Sequence, residues 1–276
     1  MTDIKPKTTI CARIKRRFGI YPKFWLKTCL YRFFPGGWGY YRKLSSLKDE
    51  TYVHERDRPA VREKHTGSSG WKAGPELSGE FVYRDYDDYN EYVEHQTVKF
   101  DEMLKAGEAF TPKVVSSIRR QFFRRFRQLP FFVNRNAKIL CAGARQGTEV
   151  EVLWDLGYKN AFGTDLNPGP DNVWVQAGDF MNIDSADSSI DVVYCNAIDH
   201  VRDMDDFLKE QARVIRADGF AIYECIPQTK GGAFEAVEWK SDSALMRKML
   251  EYFGRIVWME TESRLMWFML KDPVKK

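Results

Sequence analysis

Two glycines in "ILCAGARQGTEV", Gly143 and Gly147, bracket the point where an apolar run gives way to a helical pattern. Glycines so placed allow a tight turn in which backbone approaches a ligand closely, just ahead of a helix N-terminus whose N–H groups point outward. Asp165 follows 22 positions after Gly143, at the end of the apolar run "NAFGTDL". A carboxylate there can accept both hydroxyls of a ribose. Asp179 closes a third run, "VWVQAGD". Ligands of open α/β sheets bind along the carboxyl ends of the strands, so three such features at three successive strand ends point to a nucleotide-type ligand. Each alone is what an ordinary surface turn also looks like. The dinucleotide pattern G-x-G-x-x-G is not present; the spacing is G-x-x-x-G with Arg145 inside it.

Proton-transfer chemistry has fewer candidates. His200, in "NAIDHV" after a fourth apolar run, carries an imidazole that titrates near neutrality and is the first choice for a general base. Glu224, near the end of the fifth run, is the second, and Asp199 is placed to orient His200. His95, in "YVEHQTVKF", sits on a helix-patterned segment that could reach the site as part of a lid. Packing or solvent contact explains His200 equally well, and a plain place on the helix face explains His95 better. Glu149, in the first turn of the helix after Gly147, reads either as a dipole-favoured acid or as a partner for a cationic ligand group.

Five segments then resemble a known family: "ILCAGARQGTEV", "GTDLNPGPD", "AGDF", "SIDVVYCNAIDHV" and "FLKEQARVIRADGFAIYECI" are similar to the successive motifs of class I S-adenosylmethionine-dependent methyltransferases. The similarity is greatest to a subgroup whose first motif reads like "LGARxGTEV", and it spans residues Ala137–Lys271. The resemblance implies S-adenosyl-L-methionine as cofactor; the cysteine spacing separately argues against a structural zinc site. It implies that the glycine loop wraps the methionine part of the cofactor, which maps onto Ala142, Gly143 and Gly147. Asp165 would hold the ribose with Leu166 beside the adenine, Asp179 would reach the adenine amino group with Phe180 next to it, and Asn196 would face the methionine side. Two positions depart from the family pattern. Cys141 stands where the first strand has an acid, and Arg145 stands at the middle glycine. Arg145 either obstructs the cofactor or grips its carboxylate bidentately, and Glu149 is placed to take over from the lost acid.

The elements that position these residues fall into three zones. Residues 1–80 form a basic aromatic extension and linker, residues 81–137 a helical lid or preface, and residues 138–276 the methyltransferase-like domain. In the last zone strand and helix patterns alternate, which predicts a doubly wound, Rossmann-like parallel sheet of about seven strands with the final one antiparallel. The helix "MDDFLKEQARVIRADG" is expected to stop at Gly219, and Ser241 to cap a later one. In the middle zone, Thr111 and Pro112 open a helix whose stripe of Val115, Ile118, Phe122, Phe126 and Leu129 is flanked by five arginines. That stripe suits either a membrane surface or one face of the sheet.

Charge is divided unevenly along the 276 residues. Residues 1–138 hold 28 Lys and Arg against 16 Asp and Glu, net +12, and the remainder hold 15 against 23, net −8. A basic front and an acidic back suggest two separate jobs, or one half docking on the other. Within residues 13–42, ten aromatic rings alternate with Lys and Arg. This suits peripheral contact with an inner membrane face, or a lid packed on the catalytic domain. Nucleic acid is disfavoured, because the acidic half would repel a phosphate backbone. No stretch is long and apolar enough for a spanning helix. The five scattered cysteines show no C-x-x-C spacing and read as reduced cytoplasmic thiols.

The sequence thus points to a cytoplasmic methyltransferase acting on an oxygen atom, with a sugar of a surface glycan or glycolipid as acceptor and a small metabolite as the alternative. A non-catalytic binding or scaffold module is the competing class, supported by Cys141 and Arg145. A nicotinamide-dependent Rossmann enzyme is disfavoured by the missing glycine pattern. If the front segment binds lipid, deletion of residues 1–50 abolishes sedimentation with anionic vesicles; continued sedimentation of the truncated chain rejects membrane contact through that segment.

Overall fold

The apolar runs of the second half pair into one sheet buried on both faces, as runs without strict polar alternation require. The computed structural model describes residues 80–105, 112–169, 172–227, 232–262 and 265–275. Seven strands, β2 (Lys138–Ala142), β3 (Asn160–Asp165), β4 (Val175–Ala177), β5 (Ile190–Cys195), β6 (Ile215–Cys225), β8 (Phe253–Glu262) and β9 (Leu265–Pro273), lie in the order β4-β3-β2-β5-β6-β9-β8. The pairs from β4 to β6 are parallel, and β9 runs antiparallel to both β6 and β8. Doubly wound topology with a closing antiparallel strand is therefore as expected.

The alternation of side chains divides the core in two. Leu140, Val193, Ala221 and Tyr223 face one side, where α4 (Met204–Val214) and α5 (Asp242–Leu250) bring Phe207, Leu208, Leu245 and Met249. Ile139, Cys141, Tyr194 and Ile222 face the other, covered by α2 (Pro112–Phe126) and α3 (Thr148–Asp155) through Phe122, Phe126, Val150 and Leu153. A separate ribbon pairs β1 (Phe81–Tyr83) with β7 (Val237–Trp239), antiparallel, so the chain just ahead of α1 (Tyr89–Lys105) is fastened to the segment after β6. Three-residue strands carry too little alternation to be read from sequence, and this ribbon was not foreseen.

The apolar stripe of α2 lies on the sheet. Phe122 and Phe126 stack on each other and meet Tyr194 edge-on, the Phe126 ring 4.9 Å away between centroids. Its arginines do not all face solvent. Arg119 pairs with Glu151 at 2.5 Å and with Asp155. Arg125 Nε donates to Glu224 Oε2 at 3.0 Å, Gln121 donates to the other oxygen at 2.9 Å, and the Tyr194 hydroxyl approaches at 3.4 Å. Arg119, Arg125, Glu151 and Glu224 are all buried. The basic-on-acidic docking suggested by the charge division is realised here, residue against residue. The basic aromatic segment 13–42 and Thr111 lie outside the described residues.

One boundary differs from expectation. The helix α4 ends at Val214, not at Gly219, and β6 starts at once with Ile215 opposite Ile190. Ile215 is fully buried, so pairing with β5 outweighs the continuing helical pattern. The last carbonyls of α4 are met by the Lys275 ammonium, which donates to Arg213 O at 3.0 Å and Ile215 O at 2.7 Å. Ser241 caps α5 as expected, accepting from Ala244 N–H at 3.2 Å, and Asp203 caps α4 through two N–H groups.

Breaking a buried ion pair leaves its remaining charge stranded in the core, whereas replacing both partners removes the problem. Arg125→Ala is expected to destabilise the fold by about 3–5 kcal/mol in urea denaturation, and Arg125→Met with Glu224→Gln to restore most of that loss. Equal losses in the single and the double variant would show that the pair is not what holds α2.

Candidate active site

The chain order turns outward from β2 through β3 to β4, then returns to β5 on the other side of β2. The gap between the ends of β2 and β5 is the topological switch point, where open α/β sheets bind ligands. Side chains at that gap must be small, and they are. Gly143 has φ +71°, and a Cβ built on it would stand 3.0 Å from the Ala197 Cβ just beyond β5. Gly147, at φ +76°, has still less room, since a Cβ there would come within 2.6 Å of Trp174.

Between these glycines, Arg145 takes φ +47°, a left-handed conformation that costs a side-chain-bearing residue about 1–2 kcal/mol. An offsetting contact is at hand: Arg145 N–H donates to Asp165 Oδ2 at 2.8 Å, a charge-assisted bond. Asn167 N–H donates to Asp165 Oδ1 at 2.9 Å. Gly143 and Ala144 N–H both donate to Thr164 O, fixing the loop from below. A carboxylate has about four acceptor sites, so two backbone donors leave Asp165 capacity for a diol. Arg145 thus holds the backbone shape that glycine would hold more cheaply.

These groups line one cleft of about 480 Å³, part of it open to solvent, with Gly143, Arg145, Asp165, Leu166, Phe180 and His200 on its walls. Six of the residues singled out from sequence are therefore brought together. Asp179 lies at its margin. Its Oδ1 accepts from Met181 N–H, and its Oδ2 accepts a very short bond from the Tyr89 hydroxyl of α1. Ala142 is buried at the end of β2, and Gly147 forms the foot of α3. Asn196 is exposed in the turn after β5, and Ala197 lines the cleft in its stead. Glu224 lies on the opposite face of the sheet, enclosed by Gln121, Arg125 and Tyr194, away from the cleft. Glu149 is buried behind the loop. Burial pushes its carboxyl up to about 8, and its proximity adds to the burial that raises the Cys141 thiol.

The other wall of the cleft is α1, which crosses the strand tips as a strap. Tyr92, fully buried, donates its hydroxyl to His200 O at 3.1 Å. Gln96 donates to Phe234 O at 3.0 Å, and Asn167 donates to Thr97 O at 3.3 Å. Lys99 Nζ lies 2.8 Å from His200 Nε2, while His200 Nδ1 lies 2.8 Å from Phe234 O. Tyr92, Gln96 and Lys99 line the cleft and were missed from sequence. Their spacing of four and three residues places them on one face of the helix, a signal that could have found them had the partner of that face been known. His95 points elsewhere. Its ring stacks on Phe234, with Tyr86 Oη 3.0 Å from Nδ1 and Ala233 O 2.7 Å from Nε2, and burial lowers its pKa. Among the described residues no group of three His, Cys, Asp or Glu could hold a metal ion, and no helix is long and apolar enough to cross a membrane.

A carboxyl with a raised pKa keeps its proton longer in the folded than in the unfolded chain, so the stability linked to it falls as pH rises. For Glu149 the window runs from the ordinary 4.5 to about 8. Glu149→Gln is expected to flatten that decline, whose steepest slope for one proton is about 1.4 kcal/mol per pH unit. Urea denaturation across that range measures it; parallel curves for the variant and the parent would mean Glu149 is already ionised.

A family model described as Methyltransferase domain matches residues 140–223. No curated protein sequence matches the chain. Among solved structures, the 1,6-didemethyltoxoflavin-N1-methyltransferase of Burkholderia thailandensis, with 1,6-didemethyltoxoflavin and S-adenosylhomocysteine bound, aligns with a TM-score of 0.53 at 14% identity, over 74% of this chain and 100% of that one. An S-adenosylmethionine-dependent methyltransferase from Aquifex aeolicus aligns at 18% identity and TM-score 0.45, over 58% and 98%. A possible histamine N-methyltransferase from Thermotoga maritima aligns at 14% and 0.45, over 66% and 99%. Residues 140–223 match a methyltransferase domain, and the sheet around them has the fold of the solved methyltransferase from Burkholderia thailandensis.

Proposed function

We propose that the chain transfers a methyl group from S-adenosylmethionine to an oxygen of a small polar acceptor held beneath α1. One observation carries this reading: the glycine turn, the Asp165 carboxylate and the Leu166 and Phe180 walls share a single cleft at the switch point, roofed by a helix that presents polar side chains. The donor set fits the cofactor. Gly143, Ala142 and Gly147 supply close backbone for its methionine part, and Asp165 retains acceptor capacity for the ribose. Leu166 and Phe180 offer apolar contact for the adenine, and Asp179 an acceptor for its amino group. Arg145, on the cleft wall, is placed to meet the carboxylate; Glu149, buried behind the loop, is not on that wall. Bound there, the cofactor supplies a methyl group activated on a sulfonium; the chain's own part is to exclude water and align the acceptor.

A sugar hydroxyl of a glycan or glycolipid is the acceptor to which the sequence points. The polar lining of Gln96, Asn167 and His200 supports a hydroxyl-rich ligand, and a small metabolite of similar polarity fits as well. Membrane contact through residues 13–42 remains part of this proposal on the strength of their composition. A scaffold role rested on Cys141 and Arg145; the left-handed backbone of Arg145 and its bond to Asp165 give that arginine a part in shaping the cleft, which favours the enzyme.

Calorimetry with S-adenosylhomocysteine tests the assignment. Asp165→Ala is expected to weaken binding by about 1–3 kcal/mol, the scale of lost charge-assisted hydrogen bonds. Asp165→Asn, which keeps one acceptor for the loop, is expected to lose less. Unchanged affinity in both removes Asp165 from the site, and no binding by the parent chain at millimolar concentration favours the scaffold.

A further inference from the structure

The outer strands of an open sheet present unpaired backbone N–H and C=O groups, and proteins guard such edges with short strands, Pro, Lys or a covering element. The two edges of this sheet are guarded unequally. β4, at one edge, has three residues. β8, at the other, has ten, "FGRIVWMETE", with neither Pro nor Lys. Among the described residues it pairs only with β9. Its side chains are apolar for such a place: Trp258 is 40% exposed and Met259 52%. Phe131 is 79% exposed, next to Phe132, whose ring meets Trp258 edge-on. Leu250 ends α5 just ahead of β8, and Val274 follows β9 with its N–H on Tyr252 O; both are exposed. Among the described residues, only Tyr89 and Val98 are exposed large apolar side chains that lie elsewhere. Single apolar side chains on a surface need no explanation, but a group of them marks an interaction site.

The charges of the strand say what fits there. Arg255, Trp258 and Glu260 stand opposite Lys271, Met269 and Trp267 of β9, while Ile256 and Met259 stand opposite Leu270 and Phe268. Val257 is an extra residue in this register, a bulge. Successive partners on β9 point to alternate faces, so Arg255, Trp258 and Glu260 share the α2 face, and Ile256 and Met259 the α4 face. Ile256 does pack with the core on the α4 side, and Val257 with the core on the α2 side. Without the bulge, Arg255 and Glu260, five positions apart, would face opposite ways. We infer that β8 is the interface to a second copy of this chain, the two β8 strands pairing antiparallel about a two-fold axis at Trp258. In that register Arg255 of each copy stands opposite Glu260 of the other, and Ile256 of each opposite Met259 of the other. The two-fold repeats every contact, so two opposite-charge pairs flank two central indoles. Both charged groups have capacity for this. Arg255 meets Asp272 of its own chain at 2.7 Å, a surface contact between exposed side chains that leaves further guanidinium donors. Glu260 accepts only a long bond, 3.4 Å, from Gln128. The seven strands of each copy then form one continuous sheet. β6 and β9 separate β8 from the switch point between β2 and β5, so the cleft of each copy stays open.

Analytical ultracentrifugation of the full chain tests this, with a monomer–dimer equilibrium in the micromolar range as the expected result. Met259→Lys puts a cation on the edge, and Arg255→Glu sets like charges opposite each other twice. Each is expected to weaken the dimer about ten-fold or more. Arg255→Glu together with Glu260→Arg restores the opposite pairs and is expected to recover the affinity of the parent. Asp272 meets the new glutamate equally in the single and the exchanged chain, so recovery has to come from the other copy. Thermal unfolding of the dilute chains, expected to be alike, shows that the variants are folded. A full chain that stays monomeric at its solubility limit overturns the inference, whether the edge is bare or covered by residues 1–79 of the same chain. A dimer indifferent to both Met259→Lys and Arg255→Glu overturns it as well, and so does an exchange that recovers nothing.

Discussion

The hydrogen bond from Arg145 N–H to the Asp165 carboxylate is the contact on which the cleft depends. It links the loop after β2 to the tip of β3, and it does so with the residue whose left-handed backbone is least favourable. Without that acceptor the loop has reason to relax, because a non-glycine residue at positive φ persists only where its surroundings over-determine it. Here they do. Thr164 O takes two N–H groups from the loop, Ala144 O takes the N–H of Gly147, and Asp165 takes the one between. The same carboxylate orders the turn beyond β3 through Asn167. One acid thereby shapes both sides of the cleft while keeping acceptor sites toward it.

Around that fixed centre, the middle zone of the chain is used twice. α2 is held from below by apolar rings and by buried pairs between its arginines and the acids of α3 and β6. α1 is held from above by hydrogen bonds to strand tips and to the segment after β6. The two attachments differ in kind. Buried ion pairs between packed elements fix position and are costly to break singly. Exposed or half-buried hydrogen bonds at loop tips exchange with water at little cost, so the strap is the part that can yield when ligands enter.

Much of this was legible in the sequence, for definable reasons. The strands β2, β3, β5, β6 and β9 are apolar and flanked by turn residues, so their existence could be read, and their order in the sheet came only with the structure. That Gly143, Asp165 and Phe180 share one cleft could be read too, because they stand at fixed places at strand ends. What failed to show were features that depend on which surface meets which. Glu224 sits one residue before Cys225 at a strand end, and only the pleat decides that it faces α2. Gly219 looked like a helix stop, yet the helix ends at Val214 because Ile215 is drawn into the sheet. Asn196 and Ala197 are neighbours in one turn, and a single residue of register decides which of them lines the cleft.

The division of labour in the fold explains why the motifs are silent on the acceptor. Everything assigned to the cofactor comes from the parallel strands and the loops directly after them, whose geometry the sheet imposes. The opposite wall of the cleft comes from α1, which is bonded to the segment after β6 and joined to it by the short β1–β7 ribbon. Neither segment is constrained by the sheet hydrogen-bond ladder, so their side chains can vary without disturbing the strands. On the proposed reading, specificity would reside in a stripe of helix side chains, Tyr92, Gln96 and Lys99, which line the cleft only because of what the helix covers. His200, the candidate base from sequence, is anchored at Phe234 O and touches that stripe through Lys99, so its surroundings too come from the helix.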